Sequence, residues 1–95
     1  MPKGYVISRV DITNPDAYAR YATAAAKAIA EHSGKPLARG GRSEALKGNV
    51  RARNVVLEFE SYDSARRYFH SEQYQAARAL REGAAEIEMA PVEGV

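Results

Sequence analysis

The fold class this sequence predicts is α+β: a four-stranded antiparallel sheet with helices on one face and the element order β-α-β-β-α-β. Three observations predict it. Segments 4–12 and 54–60 are rich in β-branched and aromatic residues, each is followed by a stretch with helical apolar spacing, and glycine and proline punctuate the joins.

Residues 4–12, GYVISRVDI, carry apolar side chains in both alternating sets, Tyr5 and Ile7 against Val6, Val10 and Ile12, as expected of a central strand covered on both faces. Asn14-Pro15-Asp16 then supplies an N-cap, a proline at the first helical position and an acid in the first turn. Tyr18, Tyr21, Ala22, Ala25 and Ile29 form the apolar face of that helix, Asp16, Arg20, Thr23, Lys27 and Glu31 its polar face, and Gly34 is placed to end it. A short strand at 37–41 follows, whose Pro36 and paired glycines suit a sheet edge or a bulge. Residues 42–53, with Lys47-Gly48-Asn49, read as the hairpin connection into a strand over 54–60. In that strand Val55, Leu57 and Phe59 face one way, and Val56, Glu58 and Glu60 the other. Ser61 or Asp63 caps the second helix, with Ala65, Tyr68 and Phe69 as its stripe, and Ser71 restarts it as EQYQAARALRE. Gly83 ends that piece. Residues 85–95 form the last strand, held to an edge by Pro91, with Ile87 and Met89 alternating against Glu86 and Glu88.

Helices that follow strands at this spacing pack on one sheet face, giving a ferredoxin-like sandwich as a single domain over 1–95. The other face stays bare. It bears Val56 and part of the first strand's apolar content, so the pattern calls for a partner over the sheet.

Composition points the same way. A chain of 95 residues buries only about 60 to 65% of its unfolded surface. It is 45% hydrophobic with a mean hydropathy of -0.48, and much of the apolar share is alanine, which buries little area. At about 25 cal/mol per Å², covering a sheet face with a second copy adds stability that the monomer core lacks. The absence of cysteine excludes disulfides, thiolate nucleophiles, Cys-based zinc sites and iron–sulfur clusters. The start, Met1-Pro2-Lys3-Gly4-Tyr5, lacks a signal-peptide core and Lys27 interrupts the alanine-rich stretch, so a cytoplasmic protein away from membranes is expected. Fourteen basic against twelve acidic residues give a net charge of +2. Arg39, Arg42, Lys47, Arg51 and Arg53 cluster against Glu44 alone, which reads either as a solvated hairpin or as an anion-facing surface.

Four stretches carry a family likeness: GYVISRVDITNPDAYARY, LARGGRSEALKG, VVLEFESYDSARRYFHSEQYQAARALR and the terminal VEGV. The most specific parts are Arg-Gly-Gly at 39–41, Glu-Phe at 58–59 and Ser71-Glu72-Gln73-Tyr74. Over essentially its whole length the chain resembles the family called domain of unknown function 1330, within the dimeric α+β barrel superfamily. One departure is Val50-Arg51, where many relatives have an aromatic residue soon after the hairpin glycine. The resemblance implies a homodimer with facing sheets and a pocket between sheet and helices in each subunit. It implies no single activity, because superfamily relatives include cofactor-independent monooxygenases, lactone isomerases, haem-dependent peroxidases and haem-degrading enzymes.

Among residues able to carry chemistry, Arg39 and Glu58 lie on what should be neighbouring strands, within reach of a cross-sheet ion pair. That pair is either structural or functional; in the second case Arg39 holds an anionic or carbonyl oxygen in its planar fork and Glu58 accepts a proton. His70 sits at the helix break, as a boundary residue or a general acid or base, and His32 complements the end of the first helix. No metal-ligand spacing accompanies either histidine. Tyr18, Tyr21, Tyr68 and Tyr74 should face the sheet, where buried hydroxyls need partners and favour a polar, ligand-sized cavity. The expected protein is a homodimer acting on, or binding, a small aromatic or carbonyl metabolite with no cofactor. Arg39 and Gly40, together with Tyr21 and Tyr74, hold the ligand, and Glu58 or His70 moves a proton. A metabolite sensor is the alternative; RNA binding is a third reading, without the aromatic sheet motif it needs.

Overall fold

The computed structural model describes residues 2–95 and has the expected order: β1 (Gly4–Ile12), α1 (Pro15–Glu31), β2 (Lys35–Arg39), β3 (Arg53–Phe59), α2 (Tyr62–His70), α3 (Glu72–Ala79) and β4 (Ala85–Glu93). The four strands form one antiparallel sheet in the order β2-β3-β1-β4. β1 is central, and the proline-bearing β2 and β4 are the edges, where a missing N–H costs no ladder bond.

Local chemistry explains the element ends. The Asn14 side chain accepts from the Ala17 N–H at 3.2 Å, with Pro15 in the first helical turn. Ser61 caps α2 by accepting from the Ser64 N–H at 3.0 Å. Ser71 ends α2 and starts α3, donating its hydroxyl to the Tyr68 carbonyl at 2.7 Å and accepting from the Tyr74 N–H at 3.1 Å. The end of α1 differs from expectation. Ser33, with φ 58°, takes the left-handed turn, and the Gly34 N–H bonds the Ile29 carbonyl at 2.8 Å. Gly34 instead provides room, since a β-carbon there would stand 2.6 Å from the Phe59 ring. This tight turn lets β2 begin at Lys35, earlier than the sequence pattern suggests.

The core lies between the helices and one sheet face. Val6, Val10, Leu57 and Phe59 point into it from the sheet, and Tyr18, Tyr21, Ala25, Ile29, Ala65, Tyr68, Tyr74 and Ala77 from the helices. Phe59, Tyr68 and Tyr74 form a run of rings with successive centroids 4.9 Å apart. The shortest extent of the molecule is 17 Å, the thickness of one helix layer on one sheet. The opposite sheet face carries Tyr5, Ile7, Val56, Ala90 and Val92 among charged residues; among the described residues no helix covers it, and the loop after β2 borders the part around Ile7 and Val56 with Ser43, Leu46 and Val50. Among the described residues no helix is long and apolar enough to cross a membrane.

Candidate functional site

A cavity of about 50 Å³ lies between α1 and the inner sheet face. Tyr18, Tyr21 and Ile29 wall it from α1, Ser8 and Met89 from β1 and β4, and Arg39 and Arg53 from β2 and β3. Arg39 reaches it because of a bulge. The register passes from Pro36↔Leu57 to Ala38↔Val56, leaving Leu37 unpaired, and places Arg39 opposite Val55. Without that extra residue Arg39 would stand opposite Asn54 and project from the bare face.

The bulge also overturns the expected Arg39–Glu58 ion pair. Arg39 shares the helix-covered face with Val55, whereas Glu58 projects from the bare face, where the Tyr5 hydroxyl approaches its Oε2 at 3.4 Å and Lys35 is its partner in register. The structure therefore does not gather all six residues expected around one pocket. Arg39 and Tyr21 line the cavity, and Tyr74 lies behind Tyr21, its hydroxyl 2.9 Å from the Tyr21 hydroxyl and 3.7 Å from Met89 Sδ. His70 is exposed and borders a separate groove of about 190 Å³ with Phe69, Pro91 and Met89. Met89 belongs to both walls and partitions the groove from the cavity.

Arg53 was read as one of the clustered basic residues and not as an inner-face residue, because it falls at the end of the stretch read as a connection. Extending the Val55, Leu57, Phe59 alternation back one step places it on the inner face, and that signal was there to find. Its guanidinium carbon lies 5.5 Å from the centre of the Tyr18 ring, and its Nε is buried with no hydrogen-bond partner. Gly40 makes room for it: with φ 72° this glycine ends β2, and a β-carbon there would collide with the Arg53 guanidinium. Arg81, which no sequence pattern marked, lies over the Tyr21 ring at 5.2 Å and reaches the Tyr74 hydroxyl at 3.5 Å. Burial, reinforced by neighbouring phenols, pushes the Tyr21 and Tyr68 hydroxyls well above the ordinary tyrosine range. At neutral pH both remain protonated, as hydrogen-bond donors and not as bases.

The remaining basic residues do not form one face. Arg51 turns toward the far end of the sheet and pairs with Asp11 at 2.8 Å, Glu86 at 3.1 Å and Glu88 at 3.5 Å. The Ala52 N–H and the Arg51 guanidinium hold the Asp11 carboxyl below its usual value. A depressed carboxylate stabilises the fold above its unfolded pKa, and that contribution is lost as pH falls through the folded value. Between about pH 5 and pH 2, wild type is thus expected to lose more unfolding free energy than Asp11→Asn, measured by urea titrations at stepped pH. Parallel pH profiles for the two proteins would contradict this assignment.

Comparison with known proteins agrees with this architecture. The profile of the family described as domain of unknown function 1330 matches residues 3–95. The chain belongs to that family. A Rhodopseudomonas palustris protein of unknown function superposes with a TM-score of 0.73 at 17% identity, over 99% of this chain and 83% of the other. A dimeric ferredoxin-like protein of unknown function from Thermobifida fusca superposes at 0.65 with 17% identity, over 97% and 91% of the two chains. A variant of SnoaB, a cofactor-independent oxygenase from Streptomyces nogalater, gives 0.64 at 14% identity, over 95% and 90%. At these identities the likeness is one of fold. No functionally curated protein matches the chain. Among the described residues, no group of three or more His, Asp or Glu is placed to hold a metal ion.

Proposed function

We propose that this member of the domain of unknown function 1330 family is a homodimer that takes a small aromatic or carbonyl-bearing metabolite into the cavity between α1 and the sheet. The observation that carries this reading is the convergence on one cavity of Arg39, Arg53, the Tyr21 phenol and the Ser8 side chain, in walls otherwise aromatic and aliphatic. Arg39 and Arg53 hold the polar end of the ligand. The Tyr21–Tyr74 pair shapes the closed end, and Met89, with a flexible and polarisable side chain, yields to larger ligands.

The second copy covers the bare sheet face, as the dimeric Thermobifida fusca neighbour supports. Ile7 and Val56 are paired across β1 and β3 near the centre of that face. Their joint replacement by glutamate buries like charges at the interface and is expected to give a monomeric mass by light scattering at micromolar concentration, where wild type is dimeric. An unchanged dimeric mass would remove the sheet face from the interface.

Two forms of the reading differ in chemistry. Fold likeness to SnoaB favours catalysis without a tightly held cofactor, although neither expected proton carrier lines the cavity: His70 borders the separate groove beyond Met89 and Glu58 projects from the bare face. The cavity lining favours a non-catalytic binding module, because it contains no carboxylate or imidazole and its Tyr21 and Tyr68 phenols keep their protons. A metabolite panel screened by thermal shift, with mass spectrometry of each stabilising compound, separates them: a sensor returns its ligand unchanged. No stabilising compound among small aromatic and carbonyl metabolites would defeat both forms.

A further inference from the structure

We propose that the cavity is a carboxylate site: Arg53 and Arg39 together hold the carboxylate of a small monoanionic acid, and the aromatic and aliphatic walls take its apolar body. The inference rests on the reading of this cavity as a ligand site and adds the chemical class of the ligand. Neither arginine takes part in an ion pair among the described residues, where Arg51 makes every such contact. No acidic side chain lines the cavity, so two formal positive charges border it uncompensated.

Arg53 is the more constrained of the two. Its Nε is buried without a partner, one face of its guanidinium lies toward the Tyr18 ring, and the space it occupies exists because residue 40 is glycine. A buried guanidinium nitrogen without an acceptor is unfavourable, and an anion held by the same guanidinium would offset part of that cost. The planar fork of arginine matches the two oxygens of a carboxylate. Beyond the guanidiniums the lining is mostly carbon, from Ile29, Leu57, Ile87 and Met89, with the hydroxyls of Ser8 and the tyrosines as its other polar groups. Two unpaired arginines beside aliphatic walls in about 50 Å³ suit a carboxylate on a short aliphatic body, and an aromatic body requires Met89 to give way.

The test titrates the full-length protein with acetate, butyrate and benzoate, with their neutral amides, and with inorganic phosphate, following the Met89 methyl and tyrosine ring signals by NMR. Butyrate or benzoate is expected to bind about tenfold or more tighter than its amide, the scale of a charge-assisted contact. That preference should disappear in Arg53→Met and in Arg39→Met, while Arg53→Lys keeps part of it. Arg39 is exposed on an edge strand, so its variant remains informative if Arg53→Met fails to fold. Equal binding of acids and amides would overturn the carboxylate assignment and leave the ligand-site reading standing. Phosphate binding in preference to the acids would overturn it likewise, and binding by no member of the panel would overturn both.

Discussion

Replacing Tyr74 by alanine is expected to cost about 3–5 kcal/mol of unfolding free energy, a large share of what a domain this small possesses. Tyr74 has no exposed surface, and its ring lies 4.9 Å from that of Tyr68, 5.3 Å from Phe69 and 6.2 Å from Tyr21. The truncation leaves a void in the most aromatic part of a thin core. Tyr74→Phe separates packing from hydrogen bonding: the ring stays, but the buried Tyr21 hydroxyl loses its 2.9 Å partner, at a cost of about 1–3 kcal/mol. Urea unfolding at fixed protein concentration measures both. A loss below about 1 kcal/mol for the alanine variant would mean that the neighbouring rings collapse into the space.

Gly4→Ala is expected to be similarly damaging, although it adds only a methyl group. Gly4 is buried at the start of β1, and its new β-carbon would overlap the Ser61 carbonyl and stand 2.6 Å from the Tyr62 backbone nitrogen. Those atoms belong to the first turn of α2, whose cap is the Ser61 hydroxyl, so relief requires moving the helix start or the central strand. Overpacking of this kind costs about 1–3 kcal/mol or more, exceeding the 0.4–1 kcal/mol or so by which alanine ordinarily gains over glycine through the unfolded chain. Gly41→Ala is the control: nothing lies within 4 Å of its β-carbon position, and its stability should match or slightly exceed wild type. A Gly4→Ala protein as stable as that control would show that the β1–α2 junction yields.

Much of the fold was legible in the sequence because its signals are local. Asn14, Ser61 and Ser71 announce helix starts through their own side chains, and the alternation of Val55, Leu57 and Phe59 needs only neighbouring residues to be read. Tyr18, Tyr21, Tyr68 and Tyr74 fell on the buried face for the same reason. The candidate site was less legible because it depends on strand register. The parity of Arg39 is set by one unpaired residue, Leu37, and no spacing in the chain shows where a bulge will fall. Glu58 was assigned correctly to the face away from Leu57, but the cation opposite it is Lys35. The five clustered basic residues separated because Arg51 found its acids on β1 and β4, partners 40 and 35 positions away in the chain.

The interruption at Ser71 governs how many rings this chain can concentrate in one place. Residues six apart on an uninterrupted α-helix point about 120° away from each other, so a continuous helix would have aimed Tyr68 and Tyr74 at different surroundings. By ending one helix and starting the next within a single residue, the chain re-aims its second half, and both rings enter the same core. A short polypeptide with few large side chains thereby obtains aromatic density that regular helical geometry would have spread around the axis.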